Sequence, residues 1–206
     1  MKIGLINIGI GNLHSLCKFL NYNKNNYILI ENEREFDRCD KIIIPGQGSF
    51  NYSIKQIENS FLKNSIKNHI NKGKYILGIC LGMQLFMDKG YENNINLGLG
   101  IIRGEVIKLD TNLNIKPIPH IGWNKVYSNH NSNIEDKFKT ILENNFFYFA
   151  HSYYCNLEID NNCMFTEYDQ LRFVSFYNKD NVFGTQFHPE LSGDTGYSFL
   201  KEFINL

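Results

Sequence analysis

Residues 74–86 read KYILGICLGMQLF, and the fold turns on how this stretch is divided. Tyr75 to Ile79 is a short apolar run of the kind a strand buried on both faces requires. From Leu81 a helical pattern takes over. Between them stands Cys80 in the frame Gly78-Ile79-Cys80-Leu81-Gly82, the G-x-S-x-G pattern of a nucleophile elbow with sulfur in place of oxygen. So sharp a strand-to-helix turn crowds the positions two before and two after, which must be small, and lifts the central side chain above the sheet. Unpaired N–H groups and the dipole of a helix start favour an anion there, which predicts a nucleophilic thiolate. Alone, the pentapeptide is equally compatible with a buried cysteine beside two incidental glycines.

Outward from this seam, the same alternation recurs. KIGLINI (2–8), YILIE (27–31) and KIIIPG (41–46) read as strands, and Leu13, Leu16 and Leu20 fall at helical spacing between the first two. A long periodic segment follows, with Ile54, Ile57, Phe61 and Ile66 on one helical face. Strands alternating with helices predict a parallel or mostly parallel sheet covered on both sides. Beyond about residue 96, the runs LGIIRGEVIKL, FFYFAHSYYC, NCMFTEY, RFVSFYN and NVFGTQF read as closely spaced strands added to that sheet by hairpins. The helix GYSFLKEFINL closes the chain. No linker separates the halves, so one α/β domain over 1–206 with a mixed, mostly parallel sheet is expected.

The 206 residues carry 21 Lys plus Arg against 21 Asp plus Glu. That balance argues against a nucleic-acid partner. No run approaches the roughly 18 apolar residues of a membrane span, and the N-terminus reads as a strand, not a signal peptide, so a cytoplasmic protein is expected. The five cysteines (17, 39, 80, 155 and 163) are odd in number and lack C-x-x-C spacing, which disfavours both a disulfide framework and a zinc site.

A thiol nucleophile needs a base, and the base an orienting acid. Of six histidines, His188 stands out in GTQFHPELSG (184–193). An apolar run delivers it, and Pro189 biases it towards extended backbone. In extended chain, residues i and i+2 project to the same side about 6.5–7 Å apart, so Glu190 can hold one ring nitrogen while the other faces the thiol. On its own, H-P-E is a weak signal; beside G-x-C-x-G it completes a triad.

With these residues in view, the chain resembles the class I (triad) glutamine amidotransferases: PGQGSF, GICLGMQLF, PHIGWN, FYFAHSYY and VFGTQFHPELSG occur in the expected order. PHIGWN and GIGN resemble the subfamily that acts as the glutaminase subunit of imidazole glycerol phosphate synthase. The resemblance implies that Cys80 attacks the side-chain amide of L-glutamine, that His188 moves the proton and that Glu190 holds His188. It places one oxyanion donor at the Leu81 N–H and the other in Pro45-Gly46-Gln47-Gly48, a peptide free to rotate and gate the reaction. Gln47 departs from the small apolar residue common there. Gly48, Gln84, Glu92, Ser152 and Tyr153 are the implied substrate contacts. Of FFYFAHSYYC, only His151 to Tyr153 should reach the site.

The resemblance further implies a heterodimer with a (β/α)₈ cyclase that receives the ammonia. Asn12, His120, Gly122 and Trp123 are the implied interface residues, on exposed loops. No cofactor, metal or membrane enters. A close alternative keeps the chemistry but supplies ammonia for amidination of bacterial surface sugars. A stand-alone thiol hydrolase of γ-glutamyl or peptide bonds, and a non-catalytic binding module, are the readings from other classes.

Overall fold

The computed structural model describes residues 1–7, 13–109, 117–128, 132–157 and 161–206. Apolar runs and helices alternate through the first half: β1 (Ile3–Ile6), α1 (Leu13–Tyr22), β2 (Tyr27–Ile30), α2 (Glu33–Asp37), β3 (Lys41–Ile44), α3 (Phe50–Glu58), α4 (Leu62–Asn71), β4 (Ile76–Ile79) and α5 (Leu81–Leu85). Strands dominate the second half, beginning with β5 (Lys89–Gly90), β6 (Asn96–Leu97), β7 (Gly104–Lys108), β8 (His120–Lys125) and β9 (Tyr127–Ser128). After α6 (Asp136–Leu142) come β10 (Phe146–His151), β11 (Tyr153–Leu157), β12 (Cys163–Tyr168), β13 (Leu171–Lys179) and β14 (Val182–Thr185). A single 3₁₀ turn, Pro189–Leu191, leads into α7 (Gly193–Asn205).

The main sheet has eight strands in the order β2-β1-β3-β4-β14-β13-β12-β9. Its first five are joined in parallel and its last three are antiparallel. The mixed, mostly parallel sheet read from the sequence is therefore present. Side chains alternate across it as the strand period requires. Ile42 and Ile44 pack under α2, α3, α4 and α5, whereas Ile43 faces the phenylalanine-rich side covered by α1, α6 and α7.

Two expectations are corrected. The periodic segment around residues 54–66 is two helices: Asn59 caps α3, and the Ser60 hydroxyl donates to the Ile57 carbonyl and accepts from the Leu62 N–H, so a side chain takes over where the helix ladder would run. The later strands are not all added to one sheet. β8 pairs with β10 as a two-stranded sheet, and β11, β7, β5 and β6 form a four-stranded one. FFYFAHSYYC thus splits at Ser152 into strands of different sheets.

The topology places the site. β4 and β14 are parallel neighbours, with Gly78 opposite Gly184 and Ile79 opposite Thr185. Their carboxyl ends lie side by side, where open α/β sheets bind ligands. One end delivers Cys80 and the other His188.

Candidate active site

Cys80 stands between β4 and α5 at φ 48°, ψ −102°, a sparsely populated conformation for a residue with a Cβ. Such backbone costs about 1–3 kcal/mol and persists only where the surroundings fix it. Here the Cys80 N–H donates to the Thr185 carbonyl at 2.6 Å, tying the elbow to the neighbouring strand. The small flanks are a steric necessity: a Cβ on Gly78 would lie 2.6 Å from the backbone of Gly82 and Met83. α5 runs for only five residues, so the helix dipole at Cys80 is shorter than the sequence suggested.

His188 and Glu190 lie behind Cys80, both buried, with His188 Nδ1 donating to Glu190 Oε1 at 2.8 Å. The backbone of β10 fixes this loop. His188 N–H donates to the Tyr148 carbonyl, the Ser192 hydroxyl donates to the His188 carbonyl, and Tyr148 N–H donates to the Ser192 hydroxyl. Burial alone would depress the imidazole. The charge of Cys80, a hydrogen bond to it and the Glu190 carboxylate outweigh burial and raise His188 well above its ordinary value. Glu190 Oε2 is buried and has no hydrogen-bond partner among the described residues, so the imidazolium is the compensation for its charge.

In front of Cys80 opens a cavity of about 250 Å³ lined by Gly46, Gln47, Gly48, Cys80, Leu81, Gln84, Glu92, Ala150, His151, Ser152 and Tyr153. A larger cleft of about 470 Å³ lies at the opposite end of β14, beside Arg103 and Lys179, and neither a cysteine nor a histidine lines it. The structure therefore brings every sequence-implied substrate and oxyanion residue to the smaller cavity. Leu81 opens α5, so its N–H has no intrahelical partner. The Pro45–Gly48 segment runs against the elbow so tightly that a Cβ on Gly46 would overlap the Ile79 carbonyl and lie 2.8 Å from Cys80 Cβ.

Glu92 is engaged already. Its Oε2 accepts from the Phe50 N–H, the start of α3 directly after the Pro45–Gly48 segment, where Ser49 makes no side-chain cap. Burial, and then the charge of Glu92, raise the Tyr153 hydroxyl, which places these two cavity residues within electrostatic reach.

Two features escaped the sequence reading. One is Gln186, fully buried, whose Nε2 lies 3.4 Å from Cys80 Sγ. Its signal was a glutamine inside an apolar run, two residues before His188. The other is a histidine pair. His151 Nδ1 lies 2.9 Å from the Tyr153 carbonyl and must donate to it, so His151 Nε2 accepts from His120 Nδ1 at 3.0 Å. Burial, then the His120 ring, hold His151 down at about 3, and burial holds His120 at about 4.

His120 therefore does not belong to an exposed interface loop. PHIGWN forms a strand whose alternation turns His120 inward, between the rings of Phe149 and Tyr168. The outward residues are Ile121 and Trp123, 60% and 55% exposed, beside Phe146 at 51% across the β8–β10 pair. Gly122 is half-buried at φ 140°. Asn12 and the rest of GIGN lie outside the described residues. Among the described residues, no helix is long and apolar enough to cross a membrane.

Residues 5–206 match the family described as glutamine amidotransferase class-I. The chain is 40% identical over 205 residues to the imidazole glycerol phosphate synthase subunit HisH of Methanocaldococcus jannaschii, covering 99% of each chain. It is 38% identical over 205 residues to the subunit of that name from Prochlorococcus marinus, covering 98% of this chain and 97% of the relative. Against subunit HisH 1 of Campylobacter jejuni it is 38% identical over 206 residues, covering 99% and 100%. Among solved structures, PurLQS from Thermotoga maritima aligns over 99% of this chain and 97% of its own with a TM-score of 0.73 at 18% identity, a likeness of fold.

Proposed function

The chain belongs to the class I glutamine amidotransferases, and from that membership we propose that it is the glutaminase subunit of an imidazole glycerol phosphate synthase in histidine biosynthesis. It hydrolyses L-glutamine and passes the ammonia to a cyclase partner in a cytoplasmic heterodimer. That reading rests above all on one juxtaposition: Cys80 and the pair His188 and Glu190, the thiol and the imidazole 108 positions apart in sequence, meet at the ends of adjacent strands beside a cavity of about 250 Å³.

The chemistry follows from the positions. Cys80 Sγ attacks the side-chain amide carbon, and the carbonyl π electrons move to oxygen. The Leu81 N–H and an N–H of the Pro45–Gly48 segment hold that oxyanion; one such donor is typically worth a factor of about 10²–10³ in rate. As the C–N bond breaks, the His188 proton goes to nitrogen and ammonia departs, leaving a glutamyl thioester. His188 then takes a proton from water, whose oxygen attacks the thioester carbon. The C–S bond breaks and glutamate leaves, with thiolate and imidazolium restored. Glu190 keeps His188 in one orientation throughout. Gln84, Glu92, Ser152 and Tyr153 hold the amino-acid end of the substrate.

Ammonia is largely protonated at neutral pH and is lost to solvent unless it is handed over. Ala150 lines the cavity and sits opposite Ile121 in the β8–β10 pair, so the outward face carrying Ile121, Trp123 and Phe146 adjoins the cavity wall. An apolar face with an exposed tryptophan is suited to anchor a partner there. The test is Cys80→Ala in the reconstituted complex. Glutamine-dependent product formation should vanish while ammonia-dependent formation persists. Loss of both, or persistence of the first, refutes the division of labour.

A further inference from the structure

We propose that Gln186 is a further catalytic residue of this site, its side-chain amide donating a hydrogen bond to the Cys80 sulfur and holding it as the nucleophilic anion. The inference rests on the glutaminase reading for its purpose, though not for its test. Gln186 is fully buried on the loop between β14 and His188, so it cannot turn to water. Its Nε2 lies 3.4 Å from Sγ.

The orientation of that amide follows from a chain of forced donors. The Tyr153 carbonyl can only accept. Gln84 Nε2 lies 2.9 Å from it and must therefore be the amide nitrogen, not the oxygen. The same Gln84 nitrogen lies 3.3 Å from the near end of the Gln186 amide, which must then be oxygen. The Gln186 NH₂ is thereby left facing the sulfur. His151 Nδ1 takes the second acceptor position on the Tyr153 carbonyl, so the anchor is itself fixed.

The sulfur needs such a donor. α5 is too short to supply a full helix dipole. His188 is the cation beside it, and its proton must leave for the amide nitrogen during each cycle. Cys155, the other thiol within electrostatic reach, is driven well above its ordinary value by burial and by the charge of Cys80, and a thiol is a weak donor. A neutral amide gives a fixed positive edge that is not consumed by the reaction. Hydrogen bonds to charged groups are the stronger kind. Gln84 also borders the substrate cavity, so the residue that contacts glutamine is the one that aims Gln186 at the nucleophile.

The test is the rate of Cys80 alkylation by iodoacetamide in the full chain at neutral pH, read by mass spectrometry of the peptide carrying Cys80. Gln186→Met keeps the volume and removes the donor; it should slow alkylation about tenfold. Gln84→Met keeps the donor but frees its orientation, and should slow alkylation less. A slowing of about fivefold or more in Gln186→Met with unchanged near-ultraviolet circular dichroism supports the assignment, and a smaller one overturns it. If Gln186→Met does not fold, the side-chain amide protons of Gln186 decide by NMR. A downfield signal in the unsubstituted protein that is lost in Cys80→Ala supports the bond, and identical spectra refute it. Slowed alkylation in a protein that never turns over glutamine leaves Gln186 in place and removes the glutaminase reading. Normal turnover with unslowed alkylation does the reverse.

Discussion

His188 and His151 are buried in the same wall, close enough for the charge of one to act on the other, yet their affinities for a proton are pushed in opposite directions. Burial opposes charge on both. His188 has an anion on either side, Glu190 on Nδ1 and the Cys80 sulfur beyond, and it is raised. His151 has only a carbonyl on Nδ1 and the neutral His120 ring on Nε2, within a shell of Phe149 and Phe173, and it is pulled down to about 3. The partner, not the depth, sets the state. A proton that must shuttle sits on the first histidine, while the second shapes the cavity without competing for it.

The contrast breaks most severely at Glu190. Glu190→Gln keeps a hydrogen-bond acceptor for His188 Nδ1 but removes the charge, and an amide can turn its NH₂ towards the ring and fix the wrong tautomer. Glutaminase kcat should fall by on the order of 10²–10⁴-fold. The His188 imidazole titration, followed by NMR, should move to lower pH, with burial then opposed only by Cys80. An unmoved titration would show that Glu190 orients the ring without tuning it.

The neutral histidines make a prediction of opposite sign. His120 and His69 are held at about 4 by burial, the latter against a hydrogen bond to the Tyr75 carbonyl, and His151 at about 3. All three folded values lie below the unfolded value of about 6.5, so in acid the unfolded chain binds more protons than the folded one. Stability should be full above pH 6.5 and fall as the pH drops through 4. His188 acts the other way: its contribution is complete below about 6.5 and is lost as pH rises through its raised folded value. His120→Phe fits between Phe149 and Tyr168 and removes one proton from the acid limb, flattening it by up to about 1.4 kcal/mol per pH unit. It should also cost about 1–3 kcal/mol at neutral pH, because His151 Nε2 loses its donor. Urea unfolding at a series of pH values measures both, and an unchanged acid slope would remove His120 from the account.

How much of this could be read from the residues depends on range. The elbow was legible because Gly78, Cys80 and Gly82 constrain one another within five positions. His188 and Glu190 were legible as a pair because only one residue parts them, although the 3₁₀ turn Pro189–Leu191, not the expected extended backbone, is what brings Glu190 to the ring. Gln186 also lies two residues from His188 and was passed over only because a glutamine carries no titratable group. The adjacency of β4 and β14 was not legible, since pairing across about a hundred residues leaves no local trace. Nor was the division of the later strands among three sheets, because alternation reads the same whichever neighbour a strand finds. PHIGWN misled for a related reason. Its glycine and asparagine suggested a loop, whereas pairing with β10 imposes a strand and turns His120 and Trp123 to opposite faces.

A second carboxylate sharpens the point that a partner decides a role. Glu190 has its whole charge turned on one imidazole, whereas Glu92 divides its oxygens: Oε2 accepts from the Phe50 N–H, and the cavity lies beside it. Glu92 thereby caps α3 from a distance and steadies the Pro45–Gly48 segment that precedes it, and under the proposed function its charge is the one offered to the ammonium of glutamine. Glu92→Gln keeps an acceptor for Phe50 and loses the charge, so KM for glutamine should rise about tenfold with little change in Tm. Glu92→Ala loses the acceptor too. It should lower Tm by a further 2–4 °C or so, the usual effect of losing a cap worth about 1 kcal/mol in a chain of this size, and lower kcat as the oxyanion segment loosens. Equal Tm and equal kcat in the two variants would mean that Glu92 serves the substrate alone and that nothing links glutamine binding to the Pro45–Gly48 segment.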